Sequence, residues 1–196
     1  MIKPSADTEE HMPSELCLAL TPRLGLRRFT ADDATDFYNL NRDAEVLKYT
    51  GDLPFENAIA ARDFILGYQH YRDHGFGRWA IQLHSGEFIG FCGLRQHGDA
   101  SVDLGFRLMR DYWGQGLAAE AARAAMVLAI DKYGLTELIA RAMAGNGASI
   151  ALLGKLGFTP KAGLDTPPWL GFAANLTQGA LVDDLALWRT AVTLSP

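Results

Sequence analysis

Residues 102–125 read VDLGFRLMRDYWGQGLAAEAARAA, and this stretch decides the fold. Val102–Met109 is an apolar, strand-like run. From Leu117 the pattern changes: Leu117, Ala121, Ala124 and Leu128 recur at the spacing of one buried helix face. Between the two runs lie Gly114 and Gly116, so a strand turns into a helix at a corner with bare backbone. A helix that begins just after Gly116 points its free N–H groups into that corner. Its dipole adds about half a positive charge there. Without Cβ atoms at Gly114 and Gly116, an anion can approach the backbone. Ala118, Ala119, Ala121 and Ala122 keep the first helical turns thin. Two readings stand side by side: a phosphate or pyrophosphate cradle, and a tight turn leading into an Ala-rich core helix. A third, the dinucleotide fingerprint G-x-G-x-x-A, fits Gly114, Gly116 and Ala119. That fingerprint opens a first βαβ unit and needs a carboxylate at the end of the next strand. Here the glycines lie past mid-chain and the next strand ends in AMAGN, which argues against it.

Working outward, RWAIQLH (78–84) and EFIGFCGLR (87–95) read as strands joined by a hairpin. Upstream, FENAIAARDFILGYQHYRDHG (55–75) reads as one amphipathic helix ending at Gly75. Thr30, with Asp33 three residues on, marks an earlier helix start. Leu16–Phe29 reads as strand, broken at Thr21–Pro22. Downstream, TELIARAMA (136–144) is a strand and NGASIALLGKLG (146–157) a short helix. From Phe158 to Pro196 the sequence predicts loop with two strands, the last over DLALWRTAV (184–192). Gly163–Gly179 reads as a long loop. The expected fold is α+β: a mixed, mostly antiparallel central sheet of about six to seven strands in a three-layer arrangement with flanking helices. The expected organisation is a flexible tail over residues 1–14 and a single domain over 15–196.

The chain has 196 residues, 48% hydrophobic and 21% charged, with a formal net charge of −5. That length buries a substantial core, and the acidic balance argues against a nucleic-acid partner, which needs a basic footprint. The longest apolar run, Ala124–Ile130, is too short to span a membrane. No membrane partner and a cytoplasmic location are therefore expected. Cys17 and Cys92 make no disulfide framework, and Cys92 reads as a buried thiol. His70 and His74 sit at helical i, i+4 spacing with Asp73, a faint likeness to a zinc motif. The aspartate is shorter than the glutamate such a motif uses and no third ligand is evident, so no metal is expected.

These segments, in this order, resemble a GNAT-superfamily acetyltransferase, of the branch that includes the ribosomal-protein N-terminal acetyltransferases. PRLGLRRFTADDATDFYNL is similar to that family's first strand and helix. GFGRWAIQL with GEFIGFCGLR is similar to its central hairpin, VDLGFRLMRDYWGQGLAAEAARAA to its acetyl-CoA-binding motif, and NGASIALLGKLGF to its closing helix. The resemblance implies acetyl-CoA as co-substrate and a primary amine as acceptor, either a protein N-terminus or a small molecule. It implies that Phe106, Arg107 and Leu108 pair with the pantetheine arm. It places Trp113, Gly114, Gln115, Gly116, Leu117 and Ala118 in the pyrophosphate loop, with Trp113 where the common pattern has Arg or Gln, as is usual in the ribosomal-protein branch. Asn146 matches a cofactor-contacting asparagine and Ser149 a serine of the same closing helix. Two positions depart from the family. Leu153 stands where many relatives carry a tyrosine acid, and Arg141 where some peptide acetylators carry a glutamate base. The departures keep an alternative open: an acyl-CoA-binding sensor of the same fold without turnover.

The implied chemistry is direct attack of an amine on the thioester, helped by a backbone N–H of the GFRLM strand. Asp103, on the strand face shared with Gly105 and Arg107, is the candidate base; a solvated strand carboxylate or a partner of Arg107 is the plainer reading. Ser149 is the candidate to assist the leaving thiolate. Tyr49, Asp52 and Trp79 are candidates to line the amine pocket. An unpaired edge strand near the C-terminus would permit a homodimer.

Overall fold

A computed structural model describes residues 17–194. The expected tail over residues 1–14 lies outside the described residues. The elements run β1 (Cys17–Leu20), β2 (Leu24–Arg27), α1 (Ala34–Leu40), α2 (Ala44–Leu47), α3 (Ala58–Leu66), α4 (His70–His74), β3 (Arg78–Leu83), β4 (Phe88–Gln96), β5 (Val102–Leu108), α5 (Leu117–Asp131), β6 (Glu137–Met143), α6 (Gly147–Lys155), β7 (Thr159–Pro160), β8 (Trp169–Asn175), α7 (Ala180–Ala191) and β9 (Thr193–Leu194). The strands form one sheet in the order β7-β8-β6-β5-β4-β3-β2-β1-β9. Among the described residues it has nine strands, all paired antiparallel except β5 with β6. The mixed, mostly antiparallel architecture is the expected one. The larger strand number comes from the hairpin at Thr21–Pro22 and from the two-residue strands β7 and β9.

Two helical layers cover the sheet. On one face α5 packs against β1, β2, β4, β5 and α7. Ala121, Ala122, Ala124, Ala125, Met126, Leu128 and Ala129 are fully buried there. Alanines bring this helix close to the sheet, and each buried Leu or Met adds about 1.5–3 kcal/mol of apolar transfer. On the other face α1 and α3 close a second, aromatic core around Phe29, Phe37, Leu40, Ile65 and Ala80. The Thr30 signal is realised: the Thr30 N–H donates to Asp33 Oδ2 at 2.8 Å, and the same carboxylate is held by the Arg27 guanidinium.

Three expectations are corrected. DLALWRTAV is not a strand but part of α7. Leu181, Leu185 and Trp188 recur at helical spacing and pack on the main core, and that period overrides the short alternation. The stretch read as a long loop contains β8, paired with β6 at seven positions from Trp169 to Asn175. Its sequence, WLGFAAN, lacks β-branched residues, so the strand is set by its neighbour rather than by propensity. The single helix over 55–75 breaks at Gly67 into α3 and α4. Tyr68, just beyond the break, accepts a hydrogen bond from the Arg78 N–H at 2.7 Å and ties the break to the start of β3.

Candidate active site

β5 and β6 share one paired position, Asp103 opposite Ile139. Past it β5 stays with β4 and β6 stays with β8, so the sheet splits. The Met109 N–H donates to the Ile89 carbonyl on the β4 side. By strand alternation, the backbone groups of Phe106 and Leu108 then face away from β4, into the split. The Leu108 carbonyl accepts the Trp113 indole N–H at 2.9 Å, in agreement with that direction.

A groove of about 740 Å³ opens on the α5–α6 side of the split. Phe106, Arg107 and Leu108 line it along β5, and Trp113, Gly114, Gly116, Leu117 and Ala118 line it at the corner. Asn146 and Ser149 close it from α6. Of the residues expected here, Gln115 alone does not line the groove: its amide donates to the Asp111 carbonyl and its own carbonyl accepts from Arg23. Gly114 and Gly116 have φ of +72° and +77°, and a Cβ at Gly114 would meet nothing within 4 Å. No side chain caps α5, whose N-terminal bond runs from the Glu120 N–H to the Gly116 carbonyl. The amides of Leu117, Ala118 and Ala119 therefore have no intrahelical acceptor. This is a cradle of bare N–H groups, of a shape and polarity that fit a pyrophosphate. Lys155, also lining the groove, adds a positive charge from α6.

Sequence reasoning missed what holds the corner in place. Glu120, in the first turn of α5, is 3% exposed. Its Oε1 accepts from the Thr21 hydroxyl at 2.7 Å and from the Arg23 N–H at 2.9 Å, and its Oε2 from Arg23 Nε at 2.6 Å. Arg23 Nη1 then donates to the Gln115 carbonyl at 2.9 Å. The β1–β2 turn is thus clamped to the glycine corner. The available signal was a lone carboxylate inside an Ala-rich helix start, which implies a cationic partner. Tyr112, another groove residue, donates to Glu87, and that carboxylate holds the phenol up at about 12.

A second pocket, about 340 Å³, lies through the split on the α1–α3 side. Tyr49, Thr50, Phe106, Asn146 and Ser149 border both cavities, so the two communicate at the split. The Asn146 side chain also caps α6, accepting from the Ser149 N–H at 3.1 Å. Tyr49 packs its ring against Gly145, where a Cβ would stand 2.9 Å away. Asp103 lines this pocket, with Oδ2 accepting from Arg78 Nη2 at 2.5 Å and Oδ1 3.0 Å from His97 Nε2. Its partner is therefore Arg78, not Arg107. The Arg78 guanidinium lies across Gly105, where a Cβ would come within 2.4 Å of Nη2. Arg107 pairs instead with Asn41 and, at 2.5 Å, with Asp52. Trp79 does not belong to the pocket: it is fully buried in the main core and stacks on Tyr133. Leu153 and Arg141, the two departures from the family pattern, both line this second pocket. His70 and His74 pack ring against ring at a tilt of 55° in α4, away from both cavities, with His70 Nε2 3.4 Å from the Gln96 carbonyl. No helix among the described residues is long and apolar enough to cross a membrane.

A sheet split between two parallel strands, with a glycine corner and helix N-terminus on one side and a polar pocket on the other, fits the acyl-transfer architecture that the family resemblance implies. The comparisons with known proteins agree. The family described as the acetyltransferase (GNAT) domain matches residues 23–159, more than half of the chain. An uncharacterised N-acetyltransferase, p20 of Bacillus licheniformis, is 32% identical over 142 residues, covering 70% of this chain and 80% of that protein. The crystal structure of an acetyltransferase from Agrobacterium tumefaciens superposes with a TM-score of 0.71 at 24% identity, covering 88% of this chain and 99% of that one. A spermidine N-acetyltransferase from Vibrio cholerae, solved with CoA and spermine, superposes with a TM-score of 0.64 at 18% identity over 76% of this chain and 92% of that one. The chain belongs to the GNAT acetyltransferase family.

Proposed function

We propose that the protein transfers an acetyl group from acetyl-CoA to a primary amine. The observation that carries this reading is the pair of communicating cavities: a groove with an uncapped helix N-terminus on one side of the split, and a polar pocket on the other. The amides at Leu117–Ala119, with Lys155, would hold the pyrophosphate. The β5 edge at Phe106–Leu108 would guide the pantetheine arm, and its inward N–H groups would polarise the thioester carbonyl. One such donor is worth about 3 kcal/mol, and alignment of the two reactants on the order of 7–11 kcal/mol. The amine nitrogen forms the new N–C bond, the C–S bond breaks, and the thiolate takes a proton. Three hydroxyl residues border both cavities; Thr50 donates its own to the Leu47 carbonyl, and Ser149 and Tyr49 are the proton donors in this reading. Asp103, with both oxygens engaged, fixes Arg78 over Gly105, and the ammonium proton leaves through solvent. Trp113 at the corner supports a place in the ribosomal-protein branch.

A thiol-release assay with acetyl-CoA across a panel of amines tests the reading. Amine-dependent CoA release is the expected result. CoA binding with release by no amine would instead favour a sensor that holds the cofactor without turnover. If neither acetyl-CoA nor CoA raises the melting temperature, the groove is not a cofactor site.

A further inference from the structure

We propose that the amine acceptor carries a carboxylate, bound by Arg141 and Arg95, so that the substrate class is small amino acids and their analogues rather than polyamines. The inference rests on the acetyl-transfer reading and concerns the far end of the acceptor pocket. Five charged side chains line that pocket: Asp52, Arg78, Arg95, Asp103 and Arg141. Both carboxylates are already neutralised. Asp103 is paired with Arg78, and Asp52 with Arg107, each at 2.5 Å. Arg95 and Arg141 have no carboxylate partner among the described residues.

The register places these two arginines on one sheet face. Arg95 is opposite Asp103 on β4, and Asp103 is opposite Ile139 on β6, two residues before Arg141. They thus stand two strands apart, about 10 Å across the sheet and about 7 Å along it, roughly 12 Å in all, a gap that two extended arginine side chains close around a common anion. Between them on β5 stand Asp103, held by Arg78, and Gly105, over which the Arg78 guanidinium lies, so Arg95 and Arg141 flank the Arg78–Asp103 pair. A guanidinium presents paired N–H donors that match a carboxylate, and two of them around one small pocket select for that group. A polyamine would meet uncompensated positive charge and find no free carboxylate. Tyr49 and Trp169, which also line the pocket, offer apolar walls for the carbon skeleton of such an acceptor.

The test uses the full chain and CoA release from acetyl-CoA, with matched acceptors: the common α-amino acids, their primary amides, in which the carboxylate is removed, aminoalkylphosphonates and spermidine. The expected result is a kcat/KM at least about tenfold higher for the best amino acid than for its amide. Aminoalkylphosphonates outranking amino acids would overturn the carboxylate assignment. Equal rates for acid and amide, spermidine as the best acceptor, or no turnover of any amino acid would overturn it as well. Arg141→Gln is expected to raise KM for the amino acid about tenfold or more, with kcat little changed. Arg141→Lys is expected to recover part of the loss. An unchanged KM in Arg141→Gln and Arg95→Gln would contradict the proposal. Calorimetric titration of CoA into the same proteins separates the two readings: lost CoA binding in the native chain breaks acetyl transfer itself, while intact CoA binding with polyamine preference breaks this inference alone.

Discussion

On the α5 side of the split, the surface offered to a ligand is backbone: glycines at positive φ, uncapped amides and a strand edge. On the α1–α3 side it is side chains: Arg78, Arg95, Arg141, Asp103 and Asp52, drawn from four strands and a loop. The contrast has a physical cause. Backbone N–H groups are the same in every sequence, so a site built from them suits a ligand that does not vary. Side chains projecting from strands can change without altering the strands, so the opposite face is free to set the acceptor. The clamp of Glu120, Thr21 and Arg23 belongs to the first side, and the Arg78–Asp103 pair laid over Gly105 belongs to the second.

Variants that strike one side and spare the other sharpen this contrast. Glu120→Ala has the largest expected effect. It strips Thr21 and Arg23 of their acceptor and is expected to cost about 2–3 kcal/mol in denaturant unfolding, with weaker CoA binding in the protein that remains folded. A stability within 0.5 kcal/mol of native, roughly that of a neutral surface change, would show that the clamp does not matter. Gly105→Ala is expected to displace the Arg78 guanidinium while leaving the fold and CoA affinity intact. The acceptor kcat/KM is expected to fall about tenfold, the worth of one charge-assisted contact. A parallel loss of CoA affinity would mean that the two sides are not separable.

The smallest effect concerns pH on the α1–α3 side. Burial pushes the His70 imidazole below its ordinary value, against an upward pull from the Gln96 carbonyl. The folded protein therefore resists protonating it. Its contribution to stability is full above the unfolded imidazole's pKa, about 6.5, and is lost as pH falls through the lower folded value. His70→Gln should make the decline in melting temperature between pH 7 and 5 shallower than in the native protein. An identical decline would assign the acid sensitivity to other groups.

The two sides also differ in how far they can be read from the sequence. The glycine corner, the helix that follows and the strand before it are local, and their spacing carries the geometry. The groove lining at Gly114, Gly116, Leu117 and Ala118 was legible for that reason. The clamp was not, because Thr21 and Arg23 lie some hundred residues from Glu120. Arg78 reaches Asp103 by donating to the Gly93 carbonyl on β4 and lying over Gly105 on β5, a three-strand relation that no local pattern contains. β8 escaped notice because WLGFAAN takes its conformation from β6. The α7 helix was misread because DLALWRTAV satisfies a two-residue alternation over a span too short to show its helical period.

The central claim is that bare backbone at the glycine corner seats the CoA pyrophosphate. Calorimetric titration of CoA into the native protein and Gly116→Glu tests it most directly. At φ +77° a Cβ on Gly116 would stand 3.5 Å from Arg23 Nη2, so the added side chain would strain the corner, draw Arg23 off the Gln115 carbonyl and set a carboxylate beside the anion seat. Repulsion and strain together are expected to weaken CoA binding about a hundredfold, which corresponds to about 3 kcal/mol. Gly116→Ala, which adds only strain, is expected to lose about tenfold or less. Equal CoA affinity in the native and Gly116→Glu proteins would contradict the account.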